Sequence, residues 1–216
     1  MKNFRKKTIS FFLIVILSLA CCSCAVNNND NDGGSTNLSP SEPANTLETI
    51  QASSTVQPTA SVNPAETITD DGTSSAAYIK PDFEITMEPG FSELDLTGAT
   101  YFYLKDNTAL IIIKEEFKTL EEATELNESS TLLEYGEILK ANNEASGIST
   151  GDIIVSDNGI TYFTYENTSL GQDYFYITAI FKGSDAFWSC TFYCPLENKT
   201  QFENVFLGWA ATIKAA

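Results

Sequence analysis

The apolar positions of this chain fall into two blocks, separated by about fifty residues that hold very few. The first block is one run, Ile9 to Ala20, interrupted only by Ser10 and Ser18. The second begins near Tyr78 to Phe83 and continues to the end of the chain, and its periodicity changes from stretch to stretch. Pro89-Gly90 marks a turn. Ala99 to Leu104 (ATYFYL) and Thr108 to Ile113 (TALIII), separated by Lys105-Asp106-Asn107, then predict a β-hairpin, because both runs are rich in aromatic or β-branched residues. Phe117, Leu120 and Ala123 next recur at helical spacing among glutamates. After Asn127, Ser129-Ser130 reads as the cap of a second amphipathic helix carrying Leu132, Leu133, Gly136 and Leu139, which Asn142-Asn143 and Gly147 end.

Three longer strands follow. Ile160 to Tyr165 (ITYFTY) starts after Asp157-Asn158-Gly159, Tyr174 to Lys182 (YFYITAIFK) follows Gly171, and Ala186 to Cys194 (AFWSCTFYC) follows Gly183-Ser184-Asp185. The short breaks predict an antiparallel meander. In the middle strand Phe175, Ile177, Ala179 and Phe181 share one face, and Tyr174, Tyr176, Thr178 and Ile180 the other. Bulk on both sides predicts a sheet covered on both faces. A closing helix from Lys199 to Lys214 places Phe202, Val205, Phe206, Trp209 and Ile213 on one stripe. The expected fold class is therefore α+β, an antiparallel β-sheet of about five or more strands flanked by helices, formed by residues 81–216 as a single globular domain.

The remaining residues concern location. Lys2, Arg5, Lys6 and Lys7 precede the first apolar run, which makes residues 1–24 a secretory signal. A membrane-spanning helix needs about 18–20 apolar residues, a length this run reaches only if the cysteines after it are included. Leu19-Ala20-Cys21-Cys22-Ser23-Cys24 resembles a bacterial lipoprotein signal, in which a cysteine after a small apolar box is lipidated and becomes the new N-terminus. One of Cys21, Cys22 and Cys24 would carry the lipid. The resemblance implies a cell-membrane anchor on the extracytoplasmic face, since acyl chains contribute about 0.8 kcal/mol per buried methylene. Residues 25–80, rich in Asn, Ser, Thr and Pro, read as a disordered linker that lacks the apolar surface to offset its ordering entropy. Its reach is on the order of 40 Å. Asn28, Asp30, Asp32 and Gly33 have part of a calcium-loop spacing, but Ser39 stands where the bidentate acid belongs.

Charge narrows the functions. The chain of 216 residues has a formal net charge of −17 and no histidine. Beyond the signal all basic residues are lysines, eight of them against 29 acids. Without histidine there is no Ser/His/Asp triad or imidazole zinc site. Without arginine beyond the signal there is no bidentate phosphate fork. A strongly acidic surface repels nucleic acid. Glu115, Glu116, Glu121, Glu122, Glu125 and Glu128 read as a solvated helix face. Cys190 and Cys194 lie four residues apart in one strand, roughly 13 Å, too far for a disulfide. Cys190 shares the face of Trp188 and Phe192 and reads as a buried apolar residue.

The order of elements resembles the Mog1/PsbP-like fold, an antiparallel sheet between helices. Gly90-Phe91-Ser92-Glu93, Lys114-Glu115-Glu116-Phe117, Asp185-Ala186-Phe187-Trp188 and Gly208-Trp209-Ala210 are similar to phrases in clostridial lipoproteins of unassigned role. The resemblance covers about residues 83–214 and implies no catalytic residue and no cofactor. The expected function is a tethered binding or accessory domain whose partner is a protein or small ligand, with Tyr162, Tyr165, Tyr174 and Tyr176 as a recognition surface. The alternatives are a carboxylate-based envelope hydrolase and a divalent-cation binder.

Overall fold

In the computed structural model residues 65–68 and 74–216 are described. Seven strands form one antiparallel sheet. β4 (Ser92–Glu93), β5 (Tyr101–Lys105), β6 (Thr108–Glu116), β7 (Ile154–Val155), β8 (Thr161–Ser169), β9 (Gln172–Lys182) and β10 (Ala186–Pro195) lie in the order β4-β5-β6-β10-β9-β8-β7. The predicted hairpin is β5–β6, joined by Asp106-Asn107 with Asp106 at φ 52°. The predicted meander is β8–β9–β10, and β10 also pairs with β6, closing the centre of the sheet. A smaller sheet, β1 (Ala65–Ile68), β2 (Ser74–Ile79), β3 (Phe83–Met87) and β11 (Lys214–Ala215), runs in that order.

The alternation along β9 sorts the cores as expected. Phe175, Ile177 and Ala179 join Trp188, Cys190 and Phe192 of β10, Leu110 and Ile112 of β6, and Phe83, Ile85 and Met87 of β3. Over this core lies helix α3 (Lys199–Ala210), whose Phe206 stacks on Phe192 with ring centres 5.4 Å apart. The opposite face, with Tyr176, Ile180 and Phe187, is covered by helices α1 (Phe117–Thr124) and α2 (Leu132–Ala145). The fold is α+β, with helices on both sides of the antiparallel sheet. No helix among the described residues is long and apolar enough to cross a membrane.

Four expectations need correction. The folded region starts before residue 81, because β2 pairs with β3 and buries Ala76 and Tyr78 in the main core. A stretch poor in apolar residues still forms a strand when its few large side chains alternate. The cap of α2 is Thr131, not Ser129-Ser130. Its hydroxyl accepts from the Glu134 N–H while the Glu134 carboxylate accepts from the Thr131 N–H, a reciprocal capping box. The inward face of α2 carries Tyr135 and Gly136, and Leu133 points to solvent. The closing helix ends at Ala210, where the Thr212 hydroxyl donates to the Trp209 carbonyl at 2.7 Å and accepts from the Thr86 N–H at 2.8 Å. Lys214 and Ala215 then join the small sheet, and Val205 is exposed.

Candidate functional site

A connected group of charged and polar side chains lies where the small sheet meets the large one. Asp82 stands just before β3, Tyr101 on β5, Lys114 on β6, and Asp185 and Trp188 at the start of β10. Register makes the cluster, since Trp188 lies directly opposite Lys114 in the β6–β10 ladder. The Tyr101 hydroxyl donates to Asp82 Oδ1 at 2.7 Å, and Lys114 Nζ lies 3.3 Å from Asp82 Oδ2 and 3.2 Å from Asp185 Oδ2. The same ammonium stands 5.2 Å from the centre of the Trp188 ring, a cation–π contact. Trp188 is fully buried, and its Nε1 has no hydrogen-bond partner among the described residues. Alongside, Lys80 Nζ binds Glu93 at 2.6 Å and approaches the Tyr101 ring at 5.3 Å.

Protonation in this cluster follows from its pairings. Partial burial acts to raise the Asp82 carboxyl, but the hydrogen bonds from Tyr101 and Lys114 and the charge of Lys114 outweigh it and hold it below its ordinary value. Burial, then the hydrogen bond to Asp82 and its charge, push the Tyr101 phenol up to about 12. For Lys114, burial acts downward, and its bonds to Asp185 and Asp82 overcome that and raise it. Near neutral pH the group is thus a carboxylate, a neutral phenol and an ammonium. A general acid or base works best with a pKa near the working pH, and these three are displaced away from it.

Beside the cluster is a cleft of about 200 Å³ lined by residues 93–97 and 99–102, including Glu93, Asp95, Thr97, Thr100 and Tyr101. Its two acids come from one short segment, and Glu93 is held by Lys80. A glycosidase needs carboxyls on either side of the scissile bond, about 5–10 Å apart. Glu93 and Asp95 are two residues apart in the chain, and Glu93 is already in an ion pair.

Cys21, Cys22 and Cys24, and the loop from Asn28 to Gly33, lie outside the described residues. Cys190 and Cys194 are free, buried thiols, and burial pushes Cys194 up to about 11 and Cys190 further. The four tyrosines do not form an open recognition surface. Tyr165 and Tyr176 are buried and stacked with ring centres 4.6 Å apart, and Tyr162 and Tyr174 are partly covered. Glu115 also departs from the solvated face: its carboxylate accepts a short hydrogen bond from Tyr135, which is fully buried. Among the described residues no three His, Cys, Asp or Glu side chains gather so as to hold a metal ion. No sequence pattern announces the Asp82–Tyr101–Lys114 group, because Tyr101 and Lys114 come from the β5–β6 hairpin and Asp82 from the turn before β3 in the other sheet. Two phrases noted above, at Lys114 and at Asp185 to Trp188, face each other across the ladder, which only the strand register reveals.

The chain matches no family model and no curated protein. Among solved structures it is similar to cyanobacterial PsbP (CyanoP) from Synechocystis, at 13% identity and a TM-score of 0.46 over 67% of this chain and 94% of that one. It is also similar to a protein from Bacteroides thetaiotaomicron, at 17% identity and a TM-score of 0.38, over 65% of this chain and 48% of that one.

Proposed function

We propose that this chain is a lipid-anchored extracytoplasmic protein whose folded region is a binding or accessory module rather than an enzyme. The observation that carries the module reading is the state of the polar cluster. Asp82, Tyr101, Lys114, Asp185, Lys80 and Glu93 are bound to one another, and the groups with resolved shifts are moved away from neutral titration. Such a cluster fastens two sheets together and leaves recognition to the surface around it. The anchor reading rests on the cysteines that end the first apolar run.

Both halves are testable. Expressed in a bacterial host fed an alkyne palmitate analogue, the full chain should incorporate label into the membrane fraction. Substituting one of Cys21, Cys22 or Cys24 by Ser should abolish labelling, and a chain that never takes up label would end the anchor proposal. Purified protein should show no hydrolysis of glycoside substrates. Turnover lost on Glu93→Gln or Asp95→Asn would overturn the non-enzymatic reading.

A further inference from the structure

The outer strands of a sheet carry backbone N–H and C=O groups with no strand to receive them, and natural proteins guard such edges with charges or prolines. The two edges of the seven-stranded sheet differ in this respect. At one, β4, Glu93 is clasped by Lys80 at 2.6 Å, so an ion pair stands beside the edge. At the other, β7 consists of Ile154 and Val155, whose side chains are 44% and 67% exposed. Just before β7, Thr150 bridges to Tyr165 and the Gly151 N–H donates to the Thr164 carbonyl at 2.8 Å, so the chain stays beside β8 from residue 150 to 155, with an irregular break in the ladder at 151–153. Helix α2 extends the apolar ground. A Cβ added at Gly136 would stand 2.8 Å from Ile153 Cδ1, which places the helix against the start of β7, and Leu133, one turn earlier, is 55% exposed.

Charge specifies what this edge can receive. Residues 141–181 contain Glu144, Asp152, Asp157, Glu166 and Asp173 and no lysine. Of the nearby lysines, Lys199 is already paired with Glu166, and Lys182 donates to the carbonyls of Glu128 and Ser130. A second copy of the chain would bring the same acids against these, and like charges placed opposite one another oppose association.

We propose that the β7 edge docks an extended segment of another protein that bears aliphatic side chains on one face and basic ones on the other. The segment would add as a further strand beside β7, its backbone pairing with the outward N–H and C=O groups. Its aliphatic side chains would cover Val155 and Leu133 on the α2 side of the sheet, and its cations, on the opposite face, would meet Asp152 beside Ile154 and, past the end of β7, Asp157. This rests on the binding-module reading and adds the chemistry of the partner; it is independent of the lipid anchor.

The test titrates the full chain, in nonionic detergent, into a fluorescent octapeptide of alternating valine and lysine, with an alternating valine and glutamate peptide as control. The lysine peptide should bind and the glutamate peptide should not. Binding should weaken roughly tenfold or more in Val155→Lys and in the double variant Asp152→Lys with Asp157→Lys, and Ser92→Lys at the opposite edge should leave it unchanged. A third variant, Glu121→Lys with Glu122→Lys on α1, changes net charge equally away from the edge. If it weakens binding as much as the Asp152/Asp157 variant, the attraction is nonspecific and the proposal falls. It also falls if Val155→Lys, with an unchanged unfolding midpoint, binds as tightly as the wild type, or if sedimentation shows a dimer that Val155→Lys dissolves. A partner recovered by cross-linking that still binds Val155→Lys would remove this edge and leave the binding module standing.

Discussion

Glu115 illustrates how one side chain can escape its neighbours in sequence. It follows Lys114 and precedes Glu116 in a stretch that looks fully solvated, yet it lies opposite Phe187 in the ladder and its carboxylate turns under α2 to Tyr135. Burial raises its pKa, and the hydrogen bond from Tyr135 offsets this only in part. Because the folded state then keeps the proton to a higher pH than the unfolded chain, stability falls as pH rises from the ordinary carboxylate value to the raised folded one, and is level above it. Glu115→Gln removes that loss. The variant should be more stable than the wild type at pH 7, with the difference closing as pH falls through the ordinary carboxylate range, as read by urea unfolding at several pH values. A difference that does not vary with pH would contradict the burial account. Tyr135→Phe has the opposite sense, leaving the buried carboxylate without its donor at a cost of about 1–3 kcal/mol near neutral pH.

At the scale of elements, helix ends are where substitutions have the most predictable effect. Thr131 and Glu134 satisfy each other's backbone N–H at the start of α2. Thr131→Ala should cost about 1 kcal/mol in chemical unfolding, a typical value for a lost N-cap. Helix α1 ends at Glu125 with φ 74°, a left-handed conformation that glycine adopts without strain, so Glu125→Gly should stabilise by roughly 0.5–1 kcal/mol. A loss of stability in Glu125→Gly would show that the Glu125 side chain contributes more than its backbone costs. These same ends mark how far the sequence could be read. Long elements are legible because their faces can be told apart: successive side chains of β9 turn to opposite faces, both of them apolar, with Phe175, Ile177 and Ala179 in the core on one side and Tyr176 and Ile180 in those on the other. The two-residue strands β4, β7 and β11 carry no period at all, and exist because neighbouring strands offer them partners. The polar cluster has no signature in the sequence for a related reason, since Asp82 meets Tyr101 and Lys114 of the β5–β6 hairpin only where the small sheet packs against the large one.

For the whole molecule, the start of the folded region and its charge set the behaviour. Tyr78 lies in the main core, its hydroxyl accepting from the Phe91 N–H at 3.0 Å and donating to the Glu88 carbonyl. Truncating a large buried aromatic to alanine costs about 3–5 kcal/mol, a large part of the 5–15 kcal/mol typical of a domain. A chain beginning at residue 81 should therefore unfold at much lower denaturant than one beginning at residue 62, and equal midpoints would place the boundary back at 81. Charge acts on the same balance. Residues 74–216 hold eight lysines and 22 acids. Five of the lysines form ion pairs, and four of those five also lie over an aromatic ring, as does Lys182. These six lysines act as clasps, and most of the 22 acids form no ion pair with a lysine. Salt weakens both the ion pairs and the repulsion among the acids. Exposed pairs contribute only about 0–1 kcal/mol each, whereas repulsion extends over the Debye length, about 30 Å at 0.01 M and about 8 Å at 0.15 M. Repulsion should therefore be the larger loss, and the thermal midpoint at neutral pH should rise as sodium chloride is added over that range. A falling midpoint would mean that the clasps, Lys114 between Asp82 and Asp185 above all, hold the two sheets together more strongly than the excess acids push them apart.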